Sequence, residues 1–168
     1  MLCTLPIQYI RVDRVRPNEC HYPEHAAALA ETILSEQLWR IPITLERNSL
    51  AVMDGHHRVE AARLLQLQYI PCLFLDYDQV TVSTSRQNYV VTPKEIVRRA
   101  KSGELYPPKT TRHQFPSLLP ICNISLLLLR CNPYRKSKPV SSWKPPDSSV
   151  LAKLSESVLT RPQSPIEI

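Results

Sequence analysis

Residues 51–65 read AVMDGHHRVEAARLL, and this stretch decides how the rest of the chain is read. A short apolar run stops at Asp54. Gly55 follows, then His56, His57 and Arg58, and then a helical pattern with Ala61, Leu64 and Leu65 on one face. A strand is therefore expected to end at Asp54 and a helix to begin within two residues. The chain has only two glycines. One placed here marks a bend that other residues resist, and it lets a ligand approach the backbone.

The first turn of such a helix presents unpaired N–H groups and a partial positive charge, which suit an anion. His56, His57 and Arg58 add side-chain donors at the same place, and Arg58 can grip phosphate oxygens with two prongs. A phosphate chain is the anion this arrangement suits best. The plainer alternative makes Asp54 a helix cap, worth about 1 kcal/mol, and the histidines solvated first-turn residues. Zinc is not expected, because adjacent histidines seldom converge on one metal and no C-x-x-C accompanies them. With glycines only at 55 and 103, neither the Walker A motif nor G-x-G-x-x-G can occur. Any nucleotide is held by another geometry.

Outward from this turn, IPITLE (41–46) and LAVMD (50–54) read as two strands around the turn RNS. The segment YIPCLFLDY (69–77) is almost continuously apolar, as a buried strand is. Upstream, LPIQYIRVDRVRP (5–17) predicts a strand ending near Pro17. YPEHAAALAETILSEQL (22–38) predicts a helix with Pro23 at its first position and Ala26, Leu29, Ala30, Ile33 and Leu34 along one stripe. Downstream, VTVST (80–84) reads as a further strand. TPKEIVRRAKSGE (92–104) has a capping box from Thr92 and Glu95, and Gly103 as its left-handed stop. The order strand, helix, strand, strand, helix, strand, helix predicts an α/β (α+β) domain with a small mixed sheet and packed helices. That domain is expected over residues 1–130. Residues 131–168, rich in Pro, Ser and Lys, read as a disordered tail, with a weak amphipathic helix at 150–159.

Charge follows the same division. Residues 1–106 hold twelve basic and twelve acidic side chains, which cancel, so the net charge of +6 belongs to the C-terminal third. The folded body is then no electrostatic grip for nucleic acid, although the basic tail leaves loose binding open. The five cysteines are an odd number and no leader-like stretch opens the chain, which predicts reduced thiols in a cytoplasmic protein. No apolar run approaches the roughly 20 residues of a membrane span.

Two further clusters stand out. YPPKTTRH (106–113) sets Lys109, Thr110, Thr111, Arg112 and His113 in line behind two stiffening prolines, a dense set of oxyanion donors; a solvated polar loop is the alternative. RPNECHY (16–22) places Glu19 between a strand and a helix, where catalytic groups often sit. On sequence alone, Glu19 reads first as an exposed loop carboxylate.

Taken together, VMDGHHRVEAARLLQLQYIPC (52–72), the upstream R-P-x-E loop and the PPKTTRHQFP segment resemble the ParB-like/sulfiredoxin-like superfamily, and within it the free L-serine kinases. The resemblance runs from about Leu5 to about Leu129. It implies phosphoryl transfer from ATP or ADP, with Mg2+, to the hydroxyl of free L-serine. In that scheme Gly55, His56, His57 and Arg58 hold the nucleotide phosphates. Asp54 positions the metal or the reacting groups, and Glu19 is the general base. Thr111, Arg112 and His113 contact the substrate carboxylate or the transferred group, with Lys109 and Thr110 beside them. The alternative within the superfamily is a nucleotide-sensing DNA-binding regulator. A sulfiredoxin-like reductase is disfavoured, because that chemistry needs a cysteine in the phosphate turn and this turn carries histidine.

Overall fold

The computed structural model describes residues 5–131, so the disordered tail and weak helix expected beyond them lie outside the described residues. A four-stranded mixed sheet forms the centre. Its strands are β1 (Gln8–Arg11), β3 (Ile43–Glu46), β4 (Val52–Asp54) and β5 (Tyr69–Leu75), in the order β1-β5-β3-β4. β5 runs parallel to β3 and antiparallel to β1, and β3 runs antiparallel to β4. β3 and β5 are the interior strands and are buried along nearly their whole length. That burial explains why their sequences are continuous apolar runs.

Helices α1 (Pro23–Glu36) and α2 (His56–Leu64) pack against each other. α1 turns Ala26, Ala30 and Ile33 fully inward, while Leu29 and Leu34 lie half-buried at the edge of the same stripe. α2 contributes Val59, Ala61 and Ala62 to the core. The small residues let the two helices approach closely. Trp39, Ile43, Leu45 and Ile70 fill the space between helices and sheet.

Helix α3 (Pro93–Ser102) starts and stops as expected. The Thr92 hydroxyl accepts from Glu95 N–H at 3.2 Å, and Gly103 takes φ +77° while donating to the Arg99 carbonyl. Only half of the capping box forms. The Glu95 carboxylate turns to Arg98 and Arg99 at 2.8 and 2.9 Å instead of back to the cap.

One expected strand is shorter than its sequence suggests. β1 ends at Arg11, and Val12–Arg14 form a 3-10 turn. Val12 and Val15 are both buried, and a spacing of three puts them on one side of such a turn. Strand alternation would have sent one of them to solvent. Two small ribbons complete the fold: β2 (Leu38–Trp39) with β8 (Ile124–Ser125), and β6 (Thr81–Thr84) with β7 (Thr111–Gln114). A five-residue helix, α4 (Leu126–Arg130), seats Leu126 and Leu129 in the core.

Candidate functional site

Three segments far apart in sequence are laced side by side. The loop after the 3-10 turn lies along β4: Arg16 N–H donates to the Leu50 carbonyl at 3.0 Å, and Val52 N–H donates to the Arg16 carbonyl at 3.1 Å. On its other side the same loop pairs with the Tyr106 segment. Tyr106 N–H donates to Asn18 at 2.9 Å, and Cys20 N–H donates to Tyr106 at 2.8 Å. Tyr106 is itself buried, with its hydroxyl on the Val90 carbonyl at 2.7 Å and the Arg99 guanidinium 4.2 Å over its ring. Glu19 therefore stands between the end of β4 and the turn that precedes β7.

The Gly55 turn forms as the sequence predicts. Gly55 has φ +110° and precedes α2, whose Val59 N–H donates to the Gly55 carbonyl at 2.9 Å. A Cβ at this position would lie 3.1 Å from Ile43 Cγ1 and 3.3 Å from Arg58 Cζ, so both conformation and space require glycine. Asp54 does not cap the helix. Its carboxylate pairs with Arg58 one turn on, and its Oδ1 accepts no hydrogen bond among the described residues. Arg58 also donates to the Ile41 and Pro42 carbonyls at 3.0 and 2.7 Å, tying the turn to the chain leading into β3.

Glu19 is buried, at 7% exposure, and this overturns its reading as an exposed loop carboxylate. Oε1 accepts from Lys109 N–H at 2.6 Å. Oε2 accepts from Thr110 N–H at 2.9 Å, Thr111 N–H at 2.7 Å and the Thr111 hydroxyl at 2.9 Å. Three successive N–H groups converging on one anion form a nest. Lys109 takes φ +57°, a conformation that non-glycine residues seldom adopt and that this convergence holds in place. The carbonyl side of the turn is tied as well. The Ser85 hydroxyl donates to Lys109 at 2.6 Å, and Arg86 donates to Pro108 at 3.2 Å. The KTTRH segment is thus a clamped turn leading into a strand.

A cavity of about 770 Å3 opens between these walls. Glu19, Asp54, Gly55, His56, His57, Arg58, Lys109, Thr111 and Arg112 all line it. Thr110 and His113, expected at the substrate, lie behind the wall. Thr110 is fully buried with its hydroxyl on the Pro107 carbonyl, and His113 packs between Tyr77 and Phe115, with Nε2 3.3 Å from the Tyr77 hydroxyl. Sequence reasoning passed over Tyr22, Ser85 and Arg86, which also line the cavity. Nothing in STSRQNY distinguishes Arg86 from a surface arginine.

Three imidazoles here are held below their ordinary range. Burial, then the charges of His113 and its neighbours, pushes His56 down to about 3, and burial pushes His113 down to about 4. His57 is lowered by burial and then by His25, His21 and Lys109. Its Nε2 accepts from Tyr22 N–H at 3.1 Å, which fixes the proton on Nδ1. His21 and His25, four residues apart, gather round His57 at ring distances of 6.4 and 5.5 Å. That H-x-x-x-H spacing was the available signal for the cluster. Among the described residues no three His, Cys, Asp or Glu side chains converge on a metal position.

A conserved hypothetical protein from Pyrococcus furiosus matches this architecture with a TM-score of 0.67 at 15% identity, over 74% of this chain and 97% of that one. A free serine kinase in complex with AMP gives 0.68 at 17% identity, over 74% and 94%. SbnI with C-terminal truncation from Staphylococcus aureus gives 0.67 at 14% identity, over 91% and 95%. A ParB-like protein from Sulfolobus acidocaldarius is 35% identical over 57 residues. The chain has a ParB-like fold. The 57 matched residues are 34% of this chain and 29% of the Sulfolobus protein, so the match spans less than a third of that relative. No family model matches the chain. Among the described residues, no helix is long and apolar enough to cross a membrane.

Proposed function

We propose that this chain is a small-molecule kinase that transfers a phosphoryl group from ATP or ADP to the hydroxyl of free L-serine, giving O-phospho-L-serine. One observation carries the reading. A buried carboxylate, a glycine turn opening onto a helix, and the cationic side chains of Lys109 and Arg112 line a single cavity although they come from three distant segments. The free serine kinase with the same fold is described in complex with AMP and, in a variant lacking one glutamate side chain, with ADP.

Phosphoryl transfer asks the protein for alignment and for charge around the equatorial oxygens, and for little covalent work. The N–H groups of the first turn of α2 and the flanking His57 receive the nucleotide phosphates. Arg58 acts from behind: its bonds to Ile41, Pro42 and Asp54 keep those N–H groups aimed into the cavity. Arg112 forms no ion pair among the described residues and receives the serine carboxylate. Oε1 of Glu19 carries a single hydrogen bond, which leaves it a lone-pair direction for the serine hydroxyl proton. As that proton moves to Glu19, the serine oxygen bonds to the terminal phosphorus. The bond from phosphorus to the bridging oxygen breaks, and the nucleotide leaves one phosphate shorter. A positioned carboxylate base contributes typically about 10²–10⁴-fold.

The donor set fits a divalent cation that arrives on the nucleotide and does not fit a closed protein cage. Asp54 is 41% exposed in its side chain with Oδ1 open, and magnesium needs only one or two carboxylates besides phosphate oxygens and water. Asp54 would hold the ion, whose chemistry is to neutralise charge on the phosphates.

The test is to incubate the chain with magnesium, ATP or ADP, and each free amino acid in turn, and to look for a phosphorylated amino acid by mass spectrometry. Phosphoserine above all other products supports the kinase. A second reading, a nucleotide-sensing DNA-binding regulator, is favoured by the name of the Sulfolobus relative. Absence of any phosphorylated product, with salt-sensitive DNA binding that responds to nucleotide, decides for that reading.

A further inference from the structure

We infer that Arg86 is a phosphate-contacting residue of this cavity, forming with Lys109, beside Arg112, a cationic wall that takes a terminal, multiply charged phosphoryl group. The inference rests on the reading of the cavity as a phosphate site. It adds a residue that neither the DGHHR turn nor the KTTRH cluster contains.

Charge accounting carries the argument. Four cationic side chains line the cavity, Arg58, Arg86, Lys109 and Arg112, against two carboxylates, Glu19 and Asp54. Asp54 is already paired with Arg58, and Glu19 is already held by three N–H groups and a hydroxyl. Glu19 forms no ion pair and offsets at most one of the three remaining cations, so the lining keeps a positive excess. Lys109 lies 5.6 Å from the Tyr22 ring and, like Arg86 and Arg112, forms no ion pair among the described residues. Like charges gathered with too few counter-charges repel one another, and an anion of more than one charge removes that cost.

Arg86 is placed for this by its loop. One guanidinium N–H is committed to the Pro108 carbonyl at 3.2 Å, and the neighbouring Ser85 is fixed by its hydroxyl on Lys109 and by its N–H on Thr110 at 3.3 Å. The Thr84 hydroxyl donates to the Arg86 carbonyl at 3.1 Å and accepts from Arg86 N–H at 3.0 Å, which fixes the backbone at that residue. The head group is thus anchored at one corner, and its other N–H groups remain available at the cavity wall. A guanidinium fork held in that way loses little freedom when it binds two phosphate oxygens.

The experiment uses the full chain and inorganic pyrophosphate as probe, with affinities measured by calorimetry at several salt concentrations. Arg86→Gln keeps an N–H for Pro108 and removes the charge. It is expected to weaken pyrophosphate binding about tenfold and to flatten the salt dependence, as loss of one charge-assisted contact does. Arg14→Gln, an arginine away from the cavity, is expected to stay within about twofold of wild type. Equal affinity in Arg86→Gln, an equal loss in Arg14→Gln, or no pyrophosphate binding by the wild-type chain overturns the inference. If amide exchange shows that Arg86→Gln loosens the turn at Lys109–Thr111, Arg86→Lys decides. A wild-type salt dependence supports a charge contact, and a salt dependence as flat as that of the glutamine variant assigns Arg86 a purely positioning role. A wild-type chain that binds pyrophosphate through Arg86 but makes no phosphoserine sinks the kinase and leaves this inference standing.

Discussion

The carboxylate of Glu19 reaches across 92 residues of chain to Thr111, accepting from its N–H at 2.7 Å and from its hydroxyl at 2.9 Å. This pair joins the loop before α1 to the strand that carries Arg112. Without it the KTTRH segment has nothing to hold its N–H groups, and the cavity loses a wall. Glu19 organises the turn, and in the proposed reaction its Oε1 also takes the substrate proton.

Removing the Glu19 side chain separates those duties. Glu19→Ala strands three backbone N–H groups, that of Thr110 buried and those of Lys109 and Thr111 part-buried, each costing about 1–3 kcal/mol where water does not replace the carboxylate. The folded chain is expected to lose at least about 2 kcal/mol in urea denaturation, and amide exchange at Thr110 and Thr111 is expected to accelerate first. Unchanged protection at those amides would show that the nest does not depend on Glu19.

Gly55→Ala tests the bend. The new side chain meets a φ of +110° and a Cβ contact of 3.1 Å with Ile43. A residue forced into that region costs about 1–3 kcal/mol. The variant is expected to shift the urea midpoint by that amount and to weaken ADP binding together with it. Wild-type stability would mean that the turn relaxes without cost.

Arg58→Lys is not conservative here, because a lysine cannot hold two carbonyls and a carboxylate from one planar group. Thermal unfolding should reveal a loss of about 1–3 kcal/mol, chiefly from the Pro42 carbonyl left without the Arg58 donor, since the Ile41 carbonyl keeps the Trp39 indole N–H at 2.7 Å. A neutral outcome would return Arg58 to the role of a direct phosphate ligand with no structural duty.

The half-buried His56 and His113 predict acid sensitivity with a definite sign. His56 and His113 have folded values of about 3 and about 4, below the roughly 6.5 of a free imidazole. The unfolded chain therefore binds more protons between those values, and stability rises with pH through that window. As pH falls from about 6.5 to about 4, each imidazole is expected to remove up to about 1.4 kcal/mol per pH unit. Denaturation curves at pH 7, 6 and 5 measure the slope, and His113→Phe should reduce it. An identical slope in the variant would show that His113 does not stay neutral on folding.

Much of this was legible in the residues. Gly55 among few glycines, the stripe from Ala26 to Ile33 and the apolar run from Ile70 to Leu75 have periodicities that only one local structure satisfies. What stayed hidden depends on distant partners. Thr111–Gln114 is wholly polar, so no alternation betrays β7; it is a strand because it pairs with Thr81–Thr84. Leu38–Trp39 and Ile124–Ser125 are too short to show a period. Glu19 reads as a surface carboxylate because the N–H groups that bury it lie about ninety residues away. Arg86 carries no local mark, since the Pro108 carbonyl that anchors it is set by the fold.

Single-turnover formation of phosphoserine from L-serine with ATP or ADP and magnesium, followed for the wild-type chain beside Glu19→Gln, tests the central claim most directly. The account predicts phosphoserine from the wild type and a rate lower by about 10²–10⁴-fold in the variant, with nucleotide still bound. A wild-type chain that binds nucleotide yet yields no phosphoserine from either donor, or a glutamine variant as fast as wild type, would contradict it.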